Sequence, residues 1–395
     1  MRVYADNAAT TKMSEKAKGV MIDYLDKYYG NASSLHSTGQ EAAEKLQEAR
    51  KSIADAIGAD PIEIYFTSGG SEADNQAIVS AAIIGKRKGK MHIISTAFEH
   101  HAVLHTLNKL EKEGYEITLL DVHENGMVTA QQVADAIRED TCLVTIMYAN
   151  NEIGTVQPIA EIGEVCRKAG VIFHTDAVQA MGHLPVNVKK DKVDMLSASA
   201  HKFKGPKGVG FLYAKRGIIL SNIIEGGAQE RGKRAGTENI PAIAAMAAAL
   251  NESIENVETA NEKIVKMRDM LVDGLSKVPH SKVNGDMSSH LPGTVNMCFE
   301  GIEGESLLLL LDANGICASS GSACTSGSLD PSHVLLALGI PHEVAHGSLR
   351  LSISDENTEE EMEHIIKTVP KVVDYLRNMS PVWEALEKGE REHII

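Results

Sequence analysis

From about Gly39 to about Gly217 the chain keeps switching between a helical and a strand-like pattern. "GQEAAEKLQEARKSIADAIGA", residues 39–59, has helical periodicity and predicts a helix that stops at Gly58. "EIYFTSG", "KMHIIST", "YEITLLDV", "TCLVTIMYANN", "VIFHTDA", "VDMLSASAHK" and "GVGFLYAK" read as short strands. Helical runs such as "SEADNQAIVSAAIIGKRKG" and "PIAEIGEVCRKAG" separate most of them. Alternation at this spacing predicts an α/β fold, a mostly parallel sheet with helices on both faces.

With 395 residues the chain exceeds the size at which one core usually stops growing. The expected division is an N-terminal segment 1–15 packed with the smaller unit, a large domain 16–255 and a smaller α+β domain 256–395. A long Ala-rich helical run from Pro241 bridges the two and is expected to break near Asn256.

The net charge of −15 repels polyanions and argues against direct nucleic-acid binding. The longest leucine run, Leu307 to Leu311, is too short to span a bilayer. "MRVYADNAATTK" shows no basic start followed by an apolar run, so no signal peptide is read there. Five scattered cysteines, an odd count, do not make a disulfide scaffold, and a reducing cytoplasm is the expected location.

In such sheets ligands gather beyond the C-terminal ends of the strands. "FTSGGSEADN" puts Gly70 and Ser71 between a strand and a helix, where backbone N–H groups can hold a phosphate. Taken alone, this is a tight turn with Ser71 as a helix cap. Asp176 in "HTDAVQ" could likewise cap a helix, and Lys202 in "SASAHKFKGPKG" could be a solvated charge. Together they supply what a pyridoxal phosphate site needs: an amine, an acid for the ring nitrogen and a phosphate cradle. "CASSGSACTSGSLD" adds a cysteine, Cys324, in a run with no core to pack against. Cys142, Cys166 and Cys298 lie in regular elements and read as core. "HEVAH", His342–His346, matches a zinc-protease pattern, but Pro341 and Gly347 leave little room for the helix that pattern requires.

"ADNAATT", "GNASSLH", "TSGGSEADN", "FEHHAV", "NNEIGTVQ", "HTDAVQ", "SASAHKFKGPKG", "RAGTEN" and "SSGSACTSGS" follow one another in an order that resembles the cysteine desulfurases of the iron–sulfur-cluster assembly and nitrogen-fixation branch. The resemblance covers nearly the whole chain. It implies the aspartate-aminotransferase-like fold type I, a homodimer and pyridoxal 5′-phosphate as cofactor. The substrate would be L-cysteine, with an iron–sulfur scaffold or another sulfur-acceptor protein as partner. Lys202 would bind the cofactor covalently, Asp176 would pair with its ring nitrogen and Gln179 with its phenolic oxygen. His100 would stack on the ring and serve as a second acid–base, while His101 points elsewhere. Gly70, Ser71, Ser199 and His201 would hold the phosphate, joined by Thr237 from the partner subunit. Asn151 and Arg350 would hold the substrate carboxylate, Arg350 through its planar fork. Cys324 would accept the sulfur. No metal is implied. Ala32, Ser71 and Gln229 depart from residues common in the family. A selenocysteine lyase or another enzyme of the same fold type remains the alternative reading, although a plain aminotransferase needs no thiol.

Overall fold

The structure is a computed structural model that describes residues 1–320 and 331–395. Twelve strands are present among them: β1 Val3–Tyr4, β2 Ile64–Thr67, β3 His92–Thr96, β4 Glu116–Leu120, β5 Thr141–Thr145, β6 Ile172–Asp176, β7 Met195–Ser199, β8 Gly210–Ala214, β9 Ser281–Val283, β10 Thr294–Phe299, β11 Ile316–Cys317 and β12 Ser348–Ser352.

Seven strands form the main sheet, in the order β2-β8-β7-β6-β5-β3-β4. Pairing is parallel from β7 through β6, β5 and β3 to β4, and antiparallel on both sides of β8. The exception has a simple cause: only residues 200–209 separate β7 from β8, too few for the crossover a parallel pair requires. β3, β5, β7 and β8 are buried along their whole length, as expected where helices cover both faces.

The helix Ser37–Ile57 shows how sequence makes an element. Ala42, Leu46, Ala49, Ile53 and Ile57 fall on one buried face, and Gly58 ends the helix in a left-handed conformation with φ 73°. The helix Gly70–Lys86 buries Ala73, Ala77, Ala81 and Ala82, small residues that let it lie close to the sheet. Its cap is Gly69, so Ser71 lies inside the first turn and is not the helix cap that the plain sequence reading expects. A helix at Glu15–Lys27, capped by Ser14, packs on the helix Ile240–Glu255.

The long Ala-rich run is broken where expected: helices Ile240–Glu255 and Val257–Leu275 meet at Asn256. Beyond it β12-β10-β9 form an antiparallel sheet, packed on the helices Gly304–Ala313 and Glu359–Arg377. The latter starts with a capping box in which Thr358 and Glu361 each bond the other's backbone. β1 pairs in parallel with β11, and Val3 and Ala5 are buried in the second core. The chain also returns to the first core, where Val334, Leu335, Leu338 and Val344 pack. The "HEVAH" helix is only His342–Ala345, and among the described residues no third acidic, histidine or cysteine group joins His342 and His346 as a ligand set.

No helix among the described residues is long and apolar enough to cross a membrane.

Candidate active site

Beyond the ends of β2, β6 and β7 lies a cavity of about 290 Å3. Gly70, Ser71, His100, Asn151, Asp176, Gln179, Ser199, His201, Lys202 and Arg350 all line it. These residues come from separated parts of the chain. Thr237 is exposed and lies outside this cavity of its own chain. Cys324 falls outside the described residues.

One wall is the start of the helix Gly70–Lys86. A Cβ on Gly70 would come within 2.6 Å of Val178 Cγ2, so a larger residue would have to push that side chain aside at the helix start, where backbone N–H groups can meet a ligand. Ser199, the last residue of β7, lies beside this glycine turn, and His201 also lines the cavity. His201 Nδ1 lies 3.2 Å from Thr10 Oγ1, and burial beside Lys202 holds its ring down to about 4. The cradle therefore offers neutral donors and a helix end to a phosphate.

Asp176 ends β6. It does not cap a helix: its Oδ1 accepts from Val178 N at 2.9 Å in a local turn. Burial pushes its carboxyl up to about 6, against the pull of that N–H and of Lys202. Behind it Asp74 is fully buried and pushed well above the usual carboxylate range by burial and by Asp176. His174 is buried there too, its ring bonded to Thr145 Oγ1 at 2.8 Å and to Ser197 Oγ at 3.0 Å. Asp74 also lines the cavity. Sequence reasoning gave it no role, and nothing in its helical spacing marks it out.

Lys202 sits in the one-turn 3-10 helix after β7. Its Nζ donates to the carbonyls of Ala8 and Ala9 at 2.5 and 2.9 Å. Gln179 Nε2 donates to the Ala8 carbonyl at 3.0 Å. His100 caps the helix His101–Lys112, its Nδ1 accepting from Ala102 N at 3.1 Å. That bond leaves the proton of the neutral ring on Nε2. Burial, Lys202 and the neighbouring imidazoles lower this ring to about 4. His101 turns away, its ring 4.9 Å from that of His105 and 4.6 Å from that of His333. Arg350, on β12, is nearly buried and bonds the Asn151 carbonyl at 3.0 Å and Asp6 Oδ1 at 2.9 Å.

The donor set fits pyridoxal phosphate. One cavity holds an amine, a carboxyl group, a glycine cradle at a helix end and a guanidinium. Cys142, Cys166 and Cys298 are buried thiols that do not compete as nucleophiles. Burial raises Cys142 and Cys298 to about 11 and Cys166 to about 12, well away from thiolate formation.

Residues 3–365 match the family model for class-V aminotransferases. The cysteine desulfurase IscS of Methanosarcina thermophila is 51% identical over 380 residues, 96% of this chain and 94% of that protein. That of Clostridium botulinum is 50% identical over 394 residues, 99% of each. A solved NifS-like protein superposes with a TM-score of 0.89 at 36% identity, over 95% of this chain and 100% of the other.

Proposed function

From a chain that belongs to the class-V aminotransferases and, within them, to the cysteine desulfurases, we infer an enzyme that converts L-cysteine to L-alanine and passes the sulfur on as a persulfide. The observation that carries this reading is the meeting of Lys202, Asp176, the Gly70 cradle and Arg350 around one cavity. Pyridoxal phosphate, when bound, supplies an electron sink for the substrate carbon.

The residues divide the remaining work. Gly70, Ser71, Ser199 and His201 hold the phosphate, and Asp176, as carboxylate, keeps a proton on the ring nitrogen. Gln179 offers its amide to the phenolic oxygen. Arg350 and Asn151 hold the substrate carboxylate and so orient the α-carbon. Lys202, which would hold the cofactor, would also move a proton at that carbon. His100 is neutral and carries its proton on Nε2, which fits it to donate to a developing anion.

Cys324 acts on sulfur. Its thiolate attacks the sulfur of the substrate; an S–S bond forms and the C–S bond breaks. The electron pair stays on carbon and is protonated to give alanine. The overall balance is L-cysteine plus a thiol giving L-alanine plus a persulfide, with no outside oxidant. The segment around Cys324 is rich in Gly and Ser, a composition suited to carrying a thiol from the cavity to an acceptor. We extend the reading to a homodimer in the cytoplasm, with Thr237 serving the partner's cofactor and a sulfur-acceptor protein such as an iron–sulfur scaffold as recipient. The free thiols of Cys142, Cys166, Cys298 and Cys317 are compatible with a reducing compartment.

The test separates Lys202 from Cys324. The purified protein should be yellow, and borohydride should leave the cofactor attached to Lys202. Cys324→Ser should keep the colour and still respond spectrally to cysteine, yet release almost no alanine. After cysteine, mass spectrometry should find added sulfur on Cys324 and not on Cys142, Cys166 or Cys298. Wild-type turnover by Cys324→Ser would replace this reading with a lyase that needs no persulfide carrier.

A further inference from the structure

Three side chains of the site donate hydrogen bonds to one short segment near the N-terminus, Asp6 to Ala9. Arg350 bonds Asp6, Gln179 bonds Ala8, and Lys202 bonds Ala8 and Ala9. We propose that Asp6 is the positioning residue for Arg350, fixing the plane in which its guanidinium receives the substrate carboxylate. The proposal rests on the reading of Arg350 as the carboxylate clamp.

The guanidinium has two anchors on different nitrogens. Nη2 donates to Asp6 Oδ1 at 2.9 Å and Nη1 to the Asn151 carbonyl at 3.0 Å. Anchors on two nitrogens of one planar group restrain its orientation, and a guanidinium carries further N–H groups that they leave over. The Arg350 side chain is 3% exposed and that of Asp6 22%, so the pair is shielded mainly on the arginine side. Without Asp6 a nearly buried cation would keep one carbonyl contact, and its long side chain could pivot about that bond.

Asp6 is itself well fixed. Its carbonyl accepts from Ala9 N at 3.0 Å and from Tyr4 Oη at 3.3 Å. Its backbone bridges in parallel to Ser352, two residues beyond Arg350 on β12. Carboxylate and guanidinium therefore ride on directly paired stretches of backbone and keep a constant relation. A carboxylate placed this way can do one of two things. It can aim the arginine at the substrate, or it can compete with the substrate for it. The two anchors and the N–H groups they leave over favour aiming, and the two readings differ in the sign of the effect on KM.

The experiment uses the full chain saturated with cofactor. Asp6→Asn should raise KM for L-cysteine about tenfold, as expected for the loss of one charge-assisted hydrogen bond, with kcat within about twofold. L-cysteine methyl ester has no carboxylate to clamp, so its KM should stay the same. Asp6→Glu keeps the charge and displaces it, and should fall between Asn and wild type; it also serves if Asp6→Asn folds poorly. Arg350→Lys is the reference. If it leaves KM for cysteine unchanged, the clamp reading fails. If it raises KM while Asp6→Asn does not, only the positioning role fails. A lower KM in Asp6→Asn makes Asp6 a competitor, and equal losses on cysteine and its ester make it merely structural. Either result overturns the proposal.

Discussion

In the role proposed for Asp176, one carboxyl group must be an anion to keep the cofactor's ring nitrogen protonated. Burial works against that and raises the group to about 6, while the Val178 N–H and Lys202 pull the other way. The sign follows directly. Below about pH 6 Asp176 takes up a proton and loses the charge proposed to pair with the ring nitrogen. Cofactor affinity of the apo chain should then weaken as pH falls from 7 to 5, by up to about tenfold per pH unit below that value. Asp176→Asn should bind more weakly at pH 7 and show a flatter profile. Absorbance titrations with pyridoxal phosphate across this range give the answer, and an equally steep fall in the Asn variant would remove Asp176 from the ring nitrogen. His100 should add nothing to this limb, because its ring stays neutral down to about 4. Lys202 and Asp176 stand out in the sequence only together, as an amine and an acid at strand ends of one sheet; each alone reads as a solvated charge or a helix cap. Asp6 does not stand out. Its meaning comes from Arg350, 344 positions away, and no local pattern reports such a pairing. Asp74 was hidden for a related reason: a carboxylate one turn into a helix reads as solvated until the fold buries it.

The elements between the two parts of the site follow a similar logic. The strands of the main sheet were readable because each is a short apolar run bounded by turns. The start of the cradle helix was misjudged because Ser is a common cap, and the tight approach of Gly70 to Val178 is a tertiary fact. The segment from Ala228 to Lys233 carries a comparable tertiary feature. Glu230 and Arg231 adopt φ 48° and 57°, a left-handed conformation that costs free energy for residues with side chains. It is held by a buried ion pair. Arg50 donates to both oxygens of Glu230 at 2.8 and 2.6 Å, and Phe66 N donates to one of them at 2.9 Å. Both side chains are almost completely buried. Glu230→Gln leaves the Arg50 charge without its partner and should lower unfolding stability by about 3–5 kcal/mol. Urea unfolding measures it; a loss below about 1 kcal/mol would mean that water reaches Arg50 in the variant. The loop that carries Thr237 begins only a few residues further on, so the same variant should loosen it.

For the whole molecule, Thr237 raises a question that a single chain cannot answer. It is exposed and outside the cavity, although its neighbour Arg234 is tied to the first turn of the cradle helix through Glu72 at 2.9 Å. Gln76 on that helix also bonds the carbonyls of Ser221 and Lys233. The loop is therefore anchored beside its own cradle while Thr237 remains outside. Large apolar side chains are exposed in several segments, among them Tyr375, Met379 and Val382 near the C-terminus and two further groups. Ile22, Leu25, Tyr29 and Leu35 belong to one; Ile219, Ile223 and Ile224 lead toward the Thr237 loop. Exposed apolar groups beside the Thr237 loop are what the proposed homodimer would cover. A second copy of the chain in closed twofold symmetry would bring each Thr237 to the other chain's cavity. Subunit mixing decides the matter. Lys202→Ala chains lack the amine, and Thr237→Ala chains lack the hydroxyl they would lend to a partner. In a mixed dimer one site combines two damaged positions, and the other has Lys202 from one chain and Thr237 from the other. Random reassortment of equal amounts puts about half of the dimers in the mixed form, each with one repaired site, so about a quarter of wild-type activity should return. If Thr237 served its own chain, every site would still lack one of the two groups and mixing would restore nothing. Sedimentation must accompany the assay, because a fully active monomer would exclude shared sites altogether.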